Sequence, residues 1–320
     1  MLEKLERIIT NTQDFKDFQD KAKRGDLAKT IMLISKDNDF SYEFARLLSC
    51  LIFDEGEIGE SENYLKVKSN AHPDLKIYPQ KDRLLVADSE DIVFESAVKP
   101  IFAKKKVFII RDIDKGMEPA QNKLLKTLEE PENNVYFILT TTNINLVLPT
   151  IRSRCVKTEL GKLDESQIKS YLGGSENAEL ACSLSEGLIG RAEKLAVKKE
   201  LPPLFEGVFS IVTELKASKD ILAYSKNICR FSGDSNLIFS ALSLIMEDLL
   251  YIKSGNESAV RLKSHKNKLE KVKDEYTIKA IVEIRSLIDK AVKEMMFNCN
   301  FTVVFENLML NILEVKYLCR

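Results

Sequence analysis

The chain has 320 residues, 44% hydrophobic and 30% charged, which excludes a disordered chain and leaves room for two or three domains. Its 48 Lys and Arg against 49 Asp and Glu give a formal charge of −1, without the basic excess of a protein that binds nucleic acid alone. Any DNA contact must therefore be local or shared with partners.

The first half alternates short apolar runs with helical patterns. Strands are predicted at Thr30–Ser35, Asp74–Pro79, Lys106–Asp112, Val135–Thr142 and Val156–Leu160. Continuous apolar runs suit strands of a parallel sheet buried on both faces. Helices are predicted between them at Tyr42–Phe53, Ser89–Val98 and Pro119–Glu130, an α/β layer pattern. From Leu163 the pattern turns helical. Asp164 is a candidate N-cap for a helix through Tyr171, a second helix runs to Glu186 before Gly187, and a third starts near Arg191. This small helical region ends around Pro202-Pro203. Amphipathic stretches beyond it predict five or six helices, with a break at Ser254-Gly255-Asn256.

The chain does not open on a basic stretch followed by an apolar run, so no signal peptide is expected. Later apolar stretches such as Ile238–Ile252 are too short or too interrupted by charge to span a bilayer. The cysteines, at Cys50, Cys155, Cys182, Cys229, Cys299 and Cys319, include no Cys-x-x-Cys pair. These features predict a reduced, cytoplasmic, soluble protein without membrane contact.

A nucleotide site on such a sheet needs a glycine-rich phosphate loop after the first strand. Here that loop reads Ser35-Lys36-Asp37-Asn38-Asp39-Phe40-Ser41-Tyr42, with no glycine and with two aspartates where polyphosphate would bind. The strand end that would hold Mg²⁺ reads Arg111-Asp112-Ile113-Asp114, and an arginine at its first polar position repels the ion. Asp112 and Asp114 read as surface or capping carboxylates. By periodicity alone, Glu118–Pro131 is an ordinary amphipathic helix with Leu124, Leu125 and Leu128 on one face, and Arg152 and Arg154 are surface cations. The basic run Arg261–Lys273 reads as a solvated helix face rather than a duplex-phosphate contact.

Taken together, two segments change that reading. Lys123-Leu124-Leu125-Lys126-Thr127-Leu128-Glu129-Glu130-Pro131 and, beyond a strand ending in threonines, Leu148-Pro149-Thr150-Ile151-Arg152-Ser153-Arg154-Cys155 resemble the bacterial clamp-loader AAA+ family. Within it they resemble the delta-prime type of DNA polymerase III. His72-Pro73-Asp74-Leu75 resembles the family segment before the second strand, and Leu184–Ala192 its lid motif with sensor 2. Glu247-Asp248-Leu249-Leu250 with Lys253 and Gly255, and Asn298-Cys299-Asn300 with Val304–Leu310, resemble collar helices.

The resemblance implies an α/β plus all-α architecture in three parts. These are an AAA+ parallel-sheet domain over 1–160 with a degenerate nucleotide site, a helical lid over 161–203, and a helical collar or oligomerisation domain over 204–320. It implies a subunit of a DNA-directed DNA polymerase without ATPase activity of its own, acting in the machine that loads a sliding clamp on primed DNA. Arg154 of Ser153-Arg154-Cys155 becomes an arginine finger reaching in trans to ATP on a neighbour, with Ser153 orienting the segment and Cys155 packing inward. Arg191 occupies the sensor 2 position, where without nucleotide it serves as a structural cation. Thr140–Asn143 occupies the sensor 1 region and reads as turn and capping groups.

Implied partners are gamma/tau ATPase and delta subunits through collar and AAA+ surfaces, the sliding clamp, and primer-template DNA. No ATP and no zinc are expected, since Leu51–Ala71 lacks the four cysteines of the zinc module that many relatives carry, and His72 reads as a packing histidine. The competing readings are an active gamma/tau-type ATPase, which the glycine-free loop opposes, and a non-replicative AAA+ scaffold, which the Ser-Arg-Cys and collar motifs oppose.

Overall fold

In the computed structural model, which describes residues 2–318, the apolar runs of the first half form one five-stranded sheet. Cys319 lies outside the described residues. The strands are β1 (Thr30–Ile34), β2 (Leu75–Tyr78), β3 (Lys106–Ile110), β4 (Val135–Thr141) and β5 (Val156–Glu159). Their order is β2-β3-β4-β1-β5, and every neighbouring pair is parallel. The central β4 sets Leu139 opposite Met32 of β1 and Phe137 opposite Phe108 of β3. The Phe108 and Phe137 rings stack with centroids 5.1 Å apart.

All of β3 is buried, as a continuous apolar run requires. β5 departs from that expectation: it has a neighbour on one side only, and Val156 is 48% exposed.

Helix α3 (Asn38–Phe53) is buried along nearly its whole length. It begins four residues before the expected Tyr42 because the Asp37 side chain caps it, accepting a hydrogen bond from Phe40 N at 3.2 Å. Four helices of this half lie outside the predicted set: α1 (Leu2–Asn11), α2 (Gln13–Arg24), α4 (Glu62–Lys68) and the single turn α7 (Pro149–Arg152). α2 is tied down by Phe15 and Phe18, whose rings meet Phe44 edge-on at 5.5 and 5.9 Å. On the sheet's other side, α5 (Val86–Ser96) and α6 (Glu118–Glu129) pack together, and Leu124, Leu128, Ile151 and Cys155 close one core with Met32 and Leu139.

The His-Pro-Asp segment works as a pin. Asp74 is fully buried, and its carboxylate accepts hydrogen bonds from Ile101 N (2.6 Å), Phe102 N (2.7 Å) and Ala103 N (2.6 Å). That fixes the loop before β3 while Ile101 remains exposed at its surface. His72 stacks on Phe53 at 4.0 Å. Its Nδ1 accepts from Asp74 N, which assigns the proton to Nε2, facing Asn63 Oδ1 at 3.1 Å. The ring is therefore held neutral.

The described chain forms two units: one runs up to Tyr171 and includes Gly187–Arg191; the other comprises Leu172–Glu186 and the chain from Ala192. Three short helices, α8 (Glu165–Leu172), α9 (Ala178–Leu184) and α10 (Ile189–Ala196), precede six longer-range ones: α11 (Leu201–Glu214), α12 (Ile221–Cys229), α13 (Ser235–Lys253), α14 (Lys266–Val272), α15 (Ile278–Met296) and α16 (Phe301–Leu318). Pro202 and Pro203 sit in the first turn of α11, where the missing N–H costs nothing.

α13 is the centre of the second unit. One segment, Ser232–Lys253, is long and apolar enough to cross a membrane by length and composition, contrary to the sequence expectation, yet most of it is buried inside this unit. Asp248 within it is fully buried and accepts from Arg261 N (3.2 Å) and Leu262 N (2.7 Å), anchoring the following loop. Burial raises its pKa, against the two backbone hydrogen bonds.

Burial lowers the His72 pKa below its ordinary 6.5. Below about pH 6.5 the unfolded imidazole takes up a proton that the folded site resists, so this group withdraws stability as pH falls. Urea unfolding of the wild type and His72→Gln across pH 5–8 should show the wild type's advantage shrinking below pH 6.5. An advantage that is constant with pH would contradict the neutral, packed assignment.

Candidate functional site

The loop after β1 sits where a doubly wound sheet offers anion-binding helix N-termini. Here an aspartate of the chain occupies that place. Asp37 is buried, and one carboxylate oxygen, Oδ1, caps α3 through Phe40 N. The other, Oδ2, accepts from Gly190 N at 2.8 Å, in the first turn of α10. One carboxylate thus satisfies orphan donors at two helix N-termini, 153 residues apart in sequence.

The approach requires glycine: a Cβ at 190 would stand 2.8 Å from Asp37 Oδ1 and 2.7 Å from Asp39 Oδ2. A cleft of ≈ 280 Å³ beside the loop sets Asp37 and Glu159 against Lys36 and Lys162. The backbone donors Phe40 N and Gly190 N are thus engaged by a side chain of the chain itself.

The strand end after β3 is likewise occupied. The Arg111 guanidinium lies 4.2 Å from the Tyr42 ring centroid. Asp112 takes a left-handed backbone conformation, with φ 49°, and its carboxylate pairs with Lys115 at 2.8 Å. Thr140 Oγ1 accepts from Asp112 N at 3.1 Å, and Thr142 Oγ1 donates to Asp114 Oδ2 at 2.9 Å. The sensor 1 hydroxyls thus serve as turn and capping groups. Arg191 follows Gly190 in α10 and is half-buried.

No zinc site assembles near His72. Cys50 is buried, its thiol donates to Arg46 O, and burial pushes its pKa up to about 12. Among the described residues, no three His, Cys, Asp or Glu side chains gather as metal ligands.

The region from α6 to β5 is built differently, because its charge points outward. Gln121 of α6 ties the region together: Oε1 accepts from Leu148 N (3.0 Å) and Nε2 donates to Gly116 O (3.1 Å). The single turn α7 (Pro149–Arg152) follows, with Ile151 buried. Ser153 Oγ donates to Thr150 O at 3.0 Å. Cys155 packs into the core beside α6, and burial pushes its thiol up to about 12, which removes it as a nucleophile.

Between them, Arg154 stays at the surface. Its Nε and Nη2 donate to Glu129 Oε2 at 2.9 and 2.5 Å, and its Nη1 to Thr150 O at 2.8 Å. Glu129 was missed as a functional partner in the sequence. The only available signal was the co-occurrence of Glu-Glu-Pro and Ser-Arg-Cys, 25 residues apart.

Residues 10–164 match the family model described as "DNA polymerase III, delta subunit". This matched stretch, just under half of the chain, is similar to subunits of DNA polymerase III. The chain's α/β part is a five-stranded parallel sheet with helices, followed by a helical region.

Among curated relatives, the chain is similar to the tau/gamma subunit of Haemophilus influenzae, 35% identical over 114 residues, which is 36% of this chain and 17% of that protein. It is also similar to the tau subunit of Escherichia coli, 32% identical over 121 residues, covering 38% and 19%. The chain therefore spans less than a fifth of the length of these two relatives. A gamma subunit-related protein of Thermotoga maritima superposes with TM-score 0.45 at 18% identity, over 94% of this chain and all of that one. A superposition this loose establishes no residue correspondence.

Three side chains of the basic run are paired within their own unit. Arg261 bonds Glu247, Lys266 meets Glu257 at 2.6 Å, and Lys268 approaches Glu206 at 3.6 Å. Glu247 also pairs with Arg285 at 2.7 Å, and Lys253 donates to Lys273 O at 2.8 Å, so the collar-like motif braces the helical unit.

Asp37→Ala removes a helix cap and leaves the Gly190 N–H unpaired, and should cost about 1–3 kcal/mol in urea unfolding. Gly190→Ala should cost a similar amount by displacing the same carboxylate. The double variant should cost less than the two losses added, because the lost contact is shared. Full additivity would contradict the bridging role of Asp37.

Proposed function

We propose that the chain is a delta-prime-type, non-hydrolysing clamp-loader subunit that helps place a sliding clamp on primed DNA. In this reading it assembles with gamma/tau-type ATPase and delta subunits through its helical and AAA+ surfaces, and it offers Arg154 to ATP held by a neighbour. The observation that supports the non-hydrolysing assignment is the Asp37 carboxylate seated on the N-terminal donors of α3 and α10. Arg111 and Lys115 at the metal-binding strand end support it further. The chain works without bound ATP or zinc, and contacts primer-template DNA only within the assembly.

The finger assignment rests on family resemblance and on the surface position of Arg154. Arginine suits the task because its fixed charge and planar fork match phosphate oxygens whose charge grows in the transition state. Ser153 and Cys155 support it, one by tying off the turn and the other by anchoring the segment in the core. A second reading, an active gamma/tau-type ATPase, is favoured by the tau and gamma names of the relatives. It requires a phosphate loop that Asp37 occupies.

Arg154→Ala and Arg154→Lys, reconstituted with wild-type clamp-loader partners, should assemble normally while DNA-stimulated ATP hydrolysis falls. Lys should rescue poorly because an ammonium lacks the planar fork. Fingers supplied in trans are worth roughly 10³–10⁵ in rate in GTPases. In an assembly with several ATP sites the total loss is smaller, and clamp loading should suffer more than bulk hydrolysis. Unchanged hydrolysis and loading with intact assembly would reduce Arg154 to a surface cation.

A further inference from the structure

Glu129 is the last residue of α6, and Pro131 two residues on prevents the helix from continuing, so its Cα position is fixed by the core packing of Leu124 and Leu128. From there its Oε2 accepts two hydrogen bonds from one edge of the Arg154 guanidinium, and Thr150 O accepts a third from Nη1. A guanidinium has five N–H donors. Three are engaged here, leaving one on Nη1 and one on Nη2, and charged donors of this kind suit phosphate oxygens.

The pair is partly exposed, at 27% for Arg154 and 54% for Glu129, so it contributes little to stability. What it removes is the rotameric freedom of a long side chain, a loss that would otherwise fall due when the arginine engages its target. Neighbouring Glu130 carries the same charge and makes no bond to Arg154, so it separates local field from direct contact.

We propose that Glu129 is a positioning residue: it holds Arg154 in one orientation, with donor capacity left on Nη1 and Nη2 for a neighbour's phosphate. This rests on the arginine-finger reading of Arg154. A carboxylate that sequestered the arginine would act in the opposite direction, and the same experiment separates the two.

The test reconstitutes full-length variants with wild-type clamp-loader partners and measures assembly and DNA-stimulated ATP turnover. Glu129→Ala should leave assembly intact and lower turnover at the dependent site by roughly tenfold, the scale of a misplaced catalytic group. Glu129→Gln, which keeps an amide oxygen as acceptor, should restore most of it, and Glu130→Ala should change nothing. Glu129→Ala combined with Arg154→Ala should be no slower than Arg154→Ala alone.

Faster turnover in Glu129→Ala would make Glu129 a restraint and overturn the proposal. So would an additive double variant, or a Glu130→Ala loss as large as that of Glu129→Ala. If Arg154→Ala itself has no effect, the finger reading falls first and the Glu129 proposal with it. If Arg154→Ala is slow while Glu129→Ala is normal, only the positioning role is lost.

Discussion

One carboxylate governs the nucleotide end of this molecule. Asp37 accepts hydrogen bonds from the N-termini of both α3 and α10, and so takes the place that an anion would hold on an α/β sheet. The sheet order puts this loop after β1, next to the end of β4 and the turn that follows it. The groups at neighbouring strand ends are spent in the same way. Thr140 and Thr142 bond the backbone and side chain of Asp112 and Asp114, and Lys115 neutralises Asp112. The polar groups at this end of the sheet are thus satisfied by the chain's own side chains, and the close approach at Gly190 belongs to the same contact.

The outward-facing region obeys a different constraint. Cys155 and Ile151 sink into the core, Gln121 clamps α6 to the following turn, and Arg154 is left at the surface on a rigid base. An exposed ion pair is a weak source of stability but a good source of orientation. The contrast between the two regions is one of charge placement: inward and self-satisfied at Asp37, outward and half-engaged at Arg154.

Local patterns carried most of the fold. The apolar runs marked all five strands to within two residues, because strands in a parallel sheet must be apolar on both faces. Where burial changes, the pattern misleads: β5 lies at an edge and is mostly exposed. Helix α3 starts early because a cap, not periodicity, decides its first residue. The short, polar α1 and α2 carry a clear apolar stripe through Leu5, Ile9, Phe15 and Phe18, so periodicity alone could have marked them. The contacts that define the site are non-local. Asp37 meets Gly190, Glu129 meets Arg154, and Asp74 meets the loop at 101–103; no periodicity encodes those pairs. Residue identity alone hinted at them, through an acidic loop without glycine and two motifs recognisable only together.

The closure of the nucleotide loop by Asp37 is tested most directly by equilibrium titration of the purified chain with labelled ATP in the presence of Mg²⁺. A loop whose donors are held by its own carboxylate should give no saturable binding in the micromolar range and no turnover. Saturable micromolar binding accompanied by hydrolysis would show that the carboxylate yields to phosphate, and would make the chain an active ATPase.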